Sequence, residues 1–188
     1  KNISKEIAMT KLEKLLSQYA AYHLDRKNVF THFIGIPLIV FAIICLTAKA
    51  GFVMAGFPVT LALLLIVVSV IYYLSLDVIF GVVMAAIFAI AYPYALIITE
   101  MSITHWLTFS ISTFVIGWIF QFIGHFYKKK KPAFMDDIVG LAVGPLFVLA
   151  ELVFLIGLRK PFEERMLAEA KRLRLEMDGK SVKEINAD

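Results

Sequence analysis

The chain has 188 residues, of which 60% are hydrophobic and only 18% are charged, and its formal net charge is +4. Soluble domains carry about 45–50% apolar and about 25% charged residues, so the composition excludes an ordinary soluble domain. The basic residues flank apolar blocks and no soluble basic domain is present, so the charge indicates membrane orientation and not nucleic-acid binding. The single cysteine, Cys45, lies inside an apolar block, so disulfides cannot hold the fold together.

Residues 4–24 are predicted to form an amphipathic helix. Apolar side chains recur there at helical spacing, with lysines and a glutamate between them. Such a helix could lie in the membrane interface or cover a cytosolic site, or it could be a solvated helix that packs on the rest of the protein. The pattern alone does not separate these alternatives.

Five apolar blocks follow, each near the roughly 20 residues that cross a hydrocarbon core of about 30 Å. Backbone groups in lipid must be hydrogen-bonded internally, and no block alternates like a barrel strand, so the blocks are predicted to be helices. Asp77 alone separates the second block from the third, which predicts a tight helical hairpin. The blocks are residues 33–48, 58–76, 78–99, 103–124 and 138–158.

Lysine and arginine predict the orientation of these helices. Six basic residues precede the first block and four lysines, at 128–131, follow the fourth, whereas only Lys49 lies between. The positive-inside rule then puts the N-terminus and the 126–137 loop in the cytoplasm, with four spans between them. His23, His32 and His125 fall on this side, and His105 falls near the opposite face.

The fifth block differs from the other four. Glycines, Pro145 and Glu151 interrupt it, and a basic tail follows it. A full span would put that tail outside, so we expect a bent or re-entrant segment that returns to the cytoplasm. The tail is predicted to form a charged helix over 162–178, ended by Gly179.

The predicted fold class is therefore an all-α polytopic membrane bundle, with four full spans and a fifth broken or re-entrant helix. Residues 1–32 are predicted to form a cytoplasmic N-terminal segment that contains His23 and His32. Residues 33–158 would form the membrane bundle, and residues 159–188 would form the charged C-terminal helix. We expect an integral protein of a bacterial inner membrane, or of the endoplasmic reticulum membrane in a eukaryotic host. Its active site would face the cytoplasm.

Two polar motifs are candidates for chemistry. The first contains His23 and His32, nine residues apart. In one helix that spacing is about 900° of rotation, which places the two rings on opposite faces. Both histidines can meet one ligand only if the chain breaks near residues 25–28, where Asn28 is a good N-cap. The second motif contains Gln121 and His125, which share a helix face.

Imidazoles from two helix ends, with carboxylates in reach, suit iron, zinc or manganese. The alternative is that the polar residues cap helix ends at the membrane interface or hydrogen-bond neighbouring helices. His105, beside Trp106, favours interfacial placement, and the lysine run favours anchoring to lipid headgroups over binding a substrate. Glu151 could be a satisfied buried carboxyl, a partner to a histidine, or a ligand.

The two motifs, with Pro132 and Ala133 beyond them, resemble the small membrane proteins typified by a yeast 2-hydroxy fatty acid dioxygenase of phytosphingosine breakdown. The first motif reads His-x4-Asn-x3-His-x2-Gly-x-Pro from His23, and the second reads Gln-x2-Gly-His from Gln121. The resemblance runs from about Tyr22 to about Glu151. It implies an iron(II)-dependent dioxygenase of fatty acid α-oxidation. Such an enzyme converts a long-chain 2-hydroxy fatty acid and O2 to a fatty acid one carbon shorter, without 2-oxoglutarate.

The resemblance also implies roles for most of these residues, whereas Asp25, Arg26 and Lys128 are candidates because of their position and charge. The three histidines would be catalytic iron ligands, and four further residues would support them. Arg26 or Lys128 could attract the substrate carboxylate. The family commonly has an acidic residue a few positions after the Gly-His pair, where this chain has lysines, and Asp136 and Asp137 follow. The ligands are His23, His32 and His125, and the supporting residues are Asp25, Asn28, Gln121 and Glu151.

Two other classes of function compete with the enzyme. One is a non-enzymatic lipid-binding or scaffold protein whose histidines are interfacial. The other is a small transporter, which is disfavoured because the predicted spans contain few polar groups. The expected partners are the lipid bilayer, a 2-hydroxy fatty acid and O2, and the sequence leaves the oligomeric state open.

Overall fold

A computed structural model of the chain describes residues 9–24, 26–126 and 138–179. This part of the chain contains seven helices and one β-hairpin. The helices are α1 (Lys11–Tyr22), α2 (Arg26–Ala48), α3 (Leu61–Leu76), α4 (Val78–Thr99), α5 (Ile103–Phe126), α6 (Ile138–Leu155) and α7 (Lys160–Met177), and the strands are β1 (Gly51–Met54) and β2 (Phe57–Thr60).

Three of these helices, α2, α4 and α5, are long and apolar enough to cross a membrane. Their outward faces carry bare apolar side chains, among them Ile90, which is 65% exposed. Apolar surface of this extent is unusual on a soluble protein, so the helices indicate a membrane protein. The helical class is confirmed. However, α3 has 16 residues and is about 24 Å long, short of a core of about 30 Å, so four full spans remain a prediction.

The β-hairpin before α3 was not predicted. Residues 51–54 pair antiparallel with residues 57–60, and the two turn residues, Ala55 and Gly56, both have positive φ. Two-residue turns with positive φ match the twist of paired strands. Thr60 ends the hairpin and caps α3 by accepting a hydrogen bond from the backbone of Leu63. The first three residues of the second apolar block thus belong to a strand, which explains why α3 is shorter than predicted.

Helices α2 and α5 approach until their backbones touch. A Cβ atom on Gly35 would lie 2.8 Å from the carbonyl oxygen of Gly117, and one on Gly117 would lie 2.9 Å from that of Gly35. Small residues allow this approach between membrane helices. The helical hairpin predicted around Asp77 is confirmed, because α3 ends at Leu76 and α4 begins at Val78. The carboxylate of Asp77 accepts a hydrogen bond from the backbone of Phe80 at 3.0 Å and so caps α4.

Helix α6 lies across one end of the bundle. The carbonyl oxygen of Ala142, near its start, accepts from the hydroxyl of Tyr73 in the last turn of α3, at 2.9 Å. Arg159, just beyond its end, pairs with Asp77 at 2.7 Å, which also follows the last turn of α3. Both ends of α6 are therefore at the same end of the bundle, as expected for a segment that returns to its starting side. Contrary to the prediction of a break, α6 continues as one helix through Pro145.

Helices α1 and α7 pack together at this same end. Arg165 of α7 donates from Nε to the buried carboxylate of Glu13 at 2.8 Å, and Arg174 donates to the carbonyl of Ala21 at 3.3 Å. The amphipathic N-terminal helix therefore packs on the protein, and its predicted start at residues 4–8 lies outside the described residues. The charged C-terminal helix is confirmed, and it ends before Gly179, whose φ is +70°.

Candidate functional site

The chain breaks between the two histidines of the first motif. Helix α1 ends at Tyr22 and α2 begins at Arg26, so His23 caps the first helix and His32 lies in the second turn of the next. The two ring centroids are 4.4 Å apart, in an edge-to-face arrangement. The predicted break is confirmed. Asn28 is not the N-cap, because α2 starts two residues before it.

Backbone carbonyls fix both imidazole rings in the same way. Nδ1 of His23 lies 2.7 Å from the carbonyl oxygen of Tyr19, and Nδ1 of His32 lies 2.8 Å from that of Asn28. A carbonyl oxygen can only accept, so each Nδ1 carries the hydrogen, and Nε2 carries the lone pair in the neutral ring. Both Nε2 atoms are buried. Metal-ligating histidines commonly have this tautomer, with the second nitrogen donating to a carbonyl.

Tyr19 is a third member of this cluster, and sequence analysis missed it. Its ring stacks on His23 at 4.5 Å and meets His32 edge-on at 6.3 Å. Its buried hydroxyl has no hydrogen-bond partner among the described residues. Burial raises the pKa of Tyr19, so the hydroxyl stays protonated and can donate. The sequence did contain a signal for this role, because Tyr19 precedes His23 by one helical turn and shares its helix face. Tyr19 was instead interpreted as part of the apolar face of the amphipathic helix.

Phe147 closes the cluster from the side of α6. Its ring centroid lies 4.8 Å from that of Tyr19 and 6.0 Å from that of His23. Phe147 is 1% exposed, so the side of His23 that it contacts is covered by a buried ring. The fifth apolar block thus contributes an aromatic cover to the site, a role that nothing in its sequence predicted.

Two buried amides face the glycines of the opposite helix. A Cβ atom on Gly35 would lie 2.6 Å from Nε2 of Gln121, and one on Gly124 would clash with Oδ1 of Asn28. Asn28 and Gln121 are 2% and 1% exposed, and their amide atoms have no hydrogen-bond partner in the described part of the chain. A buried polar group left unpaired costs about 1–3 kcal/mol. Two such groups beside paired histidines indicate a polar binding site.

Four of the remaining predicted site residues lie wholly or partly outside the described part of the chain. His125 lies in the last turn of α5, next to Gly124, but its side chain and that of Arg26 lie outside the described part, as do Asp25 and Lys128 entirely. Glu151 is on α6, one turn beyond Phe147, and its charged neighbour is Glu163 of α7. The structure therefore brings together His23, His32, Asn28 and Gln121 from the predicted set, whereas Glu151 faces a second carboxylate on α7.

The described side chains supply only part of a metal-binding donor set. Among the described residues, no group of three His, Cys, Asp or Glu side chains is placed to hold one. His23 and His32 supply two buried imidazoles that contact each other, and Nδ1 carries the hydrogen in both rings. The described residues therefore fit part of a metal site.

His105 lies at the other end of the bundle, at the start of α5. It is exposed, and its Nδ1 lies 2.6 Å from the hydroxyl of Ser102 in the preceding turn. This contact caps the helix and supports the interfacial placement.

An apolar cavity of about 350 Å³ begins beside the histidine cluster. Tyr19 and Gln121 line its near end, and Thr47 and Ala62 line it where α2 ends and α3 begins. Between these ends its walls are chiefly aliphatic side chains of α2 and α3. The polar cluster therefore continues into a long apolar space.

Comparisons with known proteins point to one family. A family model described as Mpo1-like, 2-hydroxy-palmitic acid dioxygenase Mpo1-like, matches residues 9–156. The chain is 30% identical over 171 residues to the 2-hydroxy-palmitic acid dioxygenase MPO1 of Saccharomyces cerevisiae, a match that covers 88% of this chain and 95% of the yeast protein. No solved structure matches the chain. The matched range includes both polar motifs.

Proposed function

This chain belongs to the Mpo1-like family, as its two motifs predicted, and we propose that it is a dioxygenase of long-chain 2-hydroxy fatty acids. In this proposal the enzyme uses iron(II) and O2 and releases a fatty acid one carbon shorter. The name of the yeast relative and the near full-length match support the substrate class. The observation that carries the proposal is the convergence of His23 and His32, both with Nδ1 bound to a carbonyl.

The overall reaction balances without another reductant. A 2-hydroxy acid and O2 contain the atoms of the shortened acid, CO2 and water. The bond between C1 and C2 breaks, C2 is oxidised to a carboxyl group, and C1 leaves as CO2. These changes release four electrons, which is the number that reduces O2 to the oxidation level of water. The reaction therefore requires no 2-oxoglutarate.

The proposed iron ligands are His23, His32 and His125. Iron(II) would supply a Lewis-acid site for the carboxylate and hydroxyl of the substrate, together with the redox chemistry that activates O2. Their tautomer fits this role, because the backbone holds the hydrogen of each described ring on Nδ1.

The surrounding side chains would bind and orient the substrate. The protonated hydroxyl of Tyr19 and the amide of Gln121 are buried donors beside the histidines, suited to a carboxylate or a hydroxyl. Phe147 would exclude water from the reacting atoms. Arg26, which lies in the first motif, and Lys128, which follows the second motif in the sequence, would attract the anionic substrate.

The proposed location is a cytoplasmic membrane surface, in a bacterial inner membrane or the endoplasmic reticulum. Helix α2 begins and helix α5 ends at the end of the bundle that holds the histidines, and the basic residues precede α2 and follow α5 in the sequence, which supports a cytoplasmic orientation. In that orientation the carboxyl group of the substrate lies at headgroup depth, with its acyl chain among the helices.

Turnover of a defined substrate tests the proposal. Purified protein in detergent is loaded with ferrous iron under reducing conditions and incubated aerobically with 2-hydroxypalmitate. We expect pentadecanoic acid and one equivalent of CO2, with no product from palmitate or without O2. If iron-loaded protein binds 2-hydroxypalmitate but forms no pentadecanoic acid, the dioxygenase proposal is wrong, and a lipid-binding protein is favoured.

A further inference from the structure

We infer that the apolar cavity is an acyl-chain tunnel, and that Ala62 at its far end limits the chain length the protein accepts. The identity of the ligand as a 2-hydroxy fatty acid rests on the proposed function. The volume of the cavity, its polar end and its largely apolar lining come from the structure alone.

The near end of the cavity joins the histidine cluster. Tyr19 lines the cavity and stacks on His23. Gln121 also lines it and presents a buried amide with no partner among the described residues. Gly144 of α6 lies beside Tyr19, because a Cβ atom there would be 3.3 Å from the tyrosine hydroxyl. Two buried polar groups that lack partners in the described structure, the hydroxyl of Tyr19 and the amide of Gln121, therefore lie at the end of the cavity where the proposed reaction occurs.

The cavity is elongated along α2. Its lining residues on this helix recur every three or four positions from Ile36 to Thr47, which is one helix face. Thr47 lies eleven positions after Ile36, which is about 16 Å at the rise of an α-helix. The opposite wall is α3, from Tyr73 at the near end to Ala62 at the far end. A volume of about 350 Å³ over this length describes a slot for one chain.

This shape selects a single-chain amphiphile. One end offers hydrogen-bond donors and the rest offers mainly aliphatic carbon, which is the distribution of a fatty acid. A phospholipid has two chains and a bulky headgroup, whereas the volume and length of this cavity match one chain. The fatty acid is the occupant that matches both the slot and its polar end.

Ala62 is suited to measure chain length. It lines the cavity, is 1% exposed and lies in the first turn of α3. A larger side chain at this position would fill the far end of the cavity. It would leave the histidine cluster unchanged, because that cluster lies at the opposite end of α2 and α3. Burial of each CH2 group is worth about fourfold in affinity, so a shortened tunnel disfavours long chains strongly.

The test compares Ala62→Leu with Ala89→Leu, which adds the same side chain on the exposed face of α4. For Ala62→Leu we expect kcat/KM with 2-hydroxypalmitate to fall about tenfold or more, while that with 2-hydroxylaurate is unchanged. Ala89→Leu should retain the wild-type chain-length profile. An equal loss at every chain length in folded Ala62→Leu protein overturns the tunnel.

A second measurement uses wild-type protein and needs no turnover. A 2-hydroxy fatty acid with a diazirine at its terminal carbon is photolysed with the protein in the absence of O2. We expect cross-links in the peptides that contain Thr47 and Ala62, and their absence from Ala62→Leu protein. Cross-links confined to the exposed face of α3, such as Val68, overturn the tunnel.

The two proposals fail in different ways. If wild-type protein forms no shortened acid but the cross-links lie at the far end of the cavity, the tunnel stands and the dioxygenase does not. If turnover occurs, but the cross-links lie away from Ala62 and Ala62→Leu does not change the chain-length profile, the dioxygenase proposal stands and the tunnel is wrong.

Discussion

The two ends of the bundle use similar residues in opposite ways. At one end, His23 and His32 are 1% and 0% exposed and contact each other. At the other end, His105 is exposed and bonds to Ser102 three residues earlier. There Trp106 donates to the carbonyl of Cys45 at 2.9 Å, and Lys49 lies 5.5 Å from the same indole ring.

The difference lies in what the polar groups are paired with. At the His105 end they bond to neighbouring backbone or to one another at the surface, as expected of a membrane-interface belt. At the His23 end they are buried and face each other, and the amides of Asn28 and Gln121 lack partners among the described residues. Such an arrangement is costly for stability unless a ligand completes it. Burial and convergence, and not residue type, therefore distinguish the candidate site from the interface.

The largest expected effect follows from removing the buried histidines. His23→Ala and His32→Ala should each abolish stoichiometric iron binding and reduce turnover by more than about 100-fold, beyond the loss typical of residues that only orient a ligand. His105→Ala is the matched control and should leave both quantities unchanged. Iron content is measured by elemental analysis of protein loaded without O2. Unchanged iron in both buried-histidine variants would falsify the metal site.

Gln121→Leu should separate function from stability. Turnover should fall about 10- to 100-fold, because a buried donor beside the histidines is lost. The melting temperature should stay the same or rise, because an apolar group replaces an amide that has no partner in the described structure.

Ser110→Ala is the control for this change. Ser110 lies on the same helix, is equally buried, and its hydroxyl also has no partner among the described residues, but it is three turns from the site. The Ser110→Ala substitution should raise the melting temperature slightly and leave turnover unaffected. A drop of several degrees for Gln121→Leu, with activity falling only in proportion to the folded fraction, would identify the amide as structural.

The sequence predicted the helices better than it predicted the site. Long apolar blocks bounded by Asp77 or by basic runs have few alternatives to a helix, and α4 was predicted at its observed bounds. The β-hairpin was not predicted, because its turn has Ala55 at positive φ and lacks the usual Asn-Gly pair.

Helical phase shows that His23 and His32 can share one ligand only if the helix breaks between them, and the structure contains this break. Phase could not identify Tyr19 as a partner of both rings or Phe147 as their cover. Those contacts depend on how α1 and α6 cross the end of the bundle, and local sequence does not encode crossing angles.

The smallest expected effect concerns how α1 is held over the histidines. Arg165→Met would leave the buried carboxylate of Glu13 without its cation, at a cost of about 1–3 kcal/mol in the free energy of unfolding. Arg172→Met is the matched control on α7. It breaks exposed pairs with Glu169 and Glu176, which are worth at most about 1 kcal/mol.

The effect of Arg165→Met should depend on pH. Burial alone would raise the pKa of Glu13, but hydrogen bonds from the Thr10 backbone and Arg165, and the charge of Arg165, hold it below its ordinary value of 4.5. A carboxyl whose folded pKa is lowered stabilises the fold above its unfolded pKa, and that contribution is lost as the pH falls through the folded value. The difference in melting temperature between wild type and Arg165→Met should therefore be full at pH 7 and shrink below pH 4.5. A difference that persists unchanged at pH 3 would mean that Arg165 stabilises α1 through its aliphatic stem and not through its charge, since a protonated Glu13 no longer attracts it.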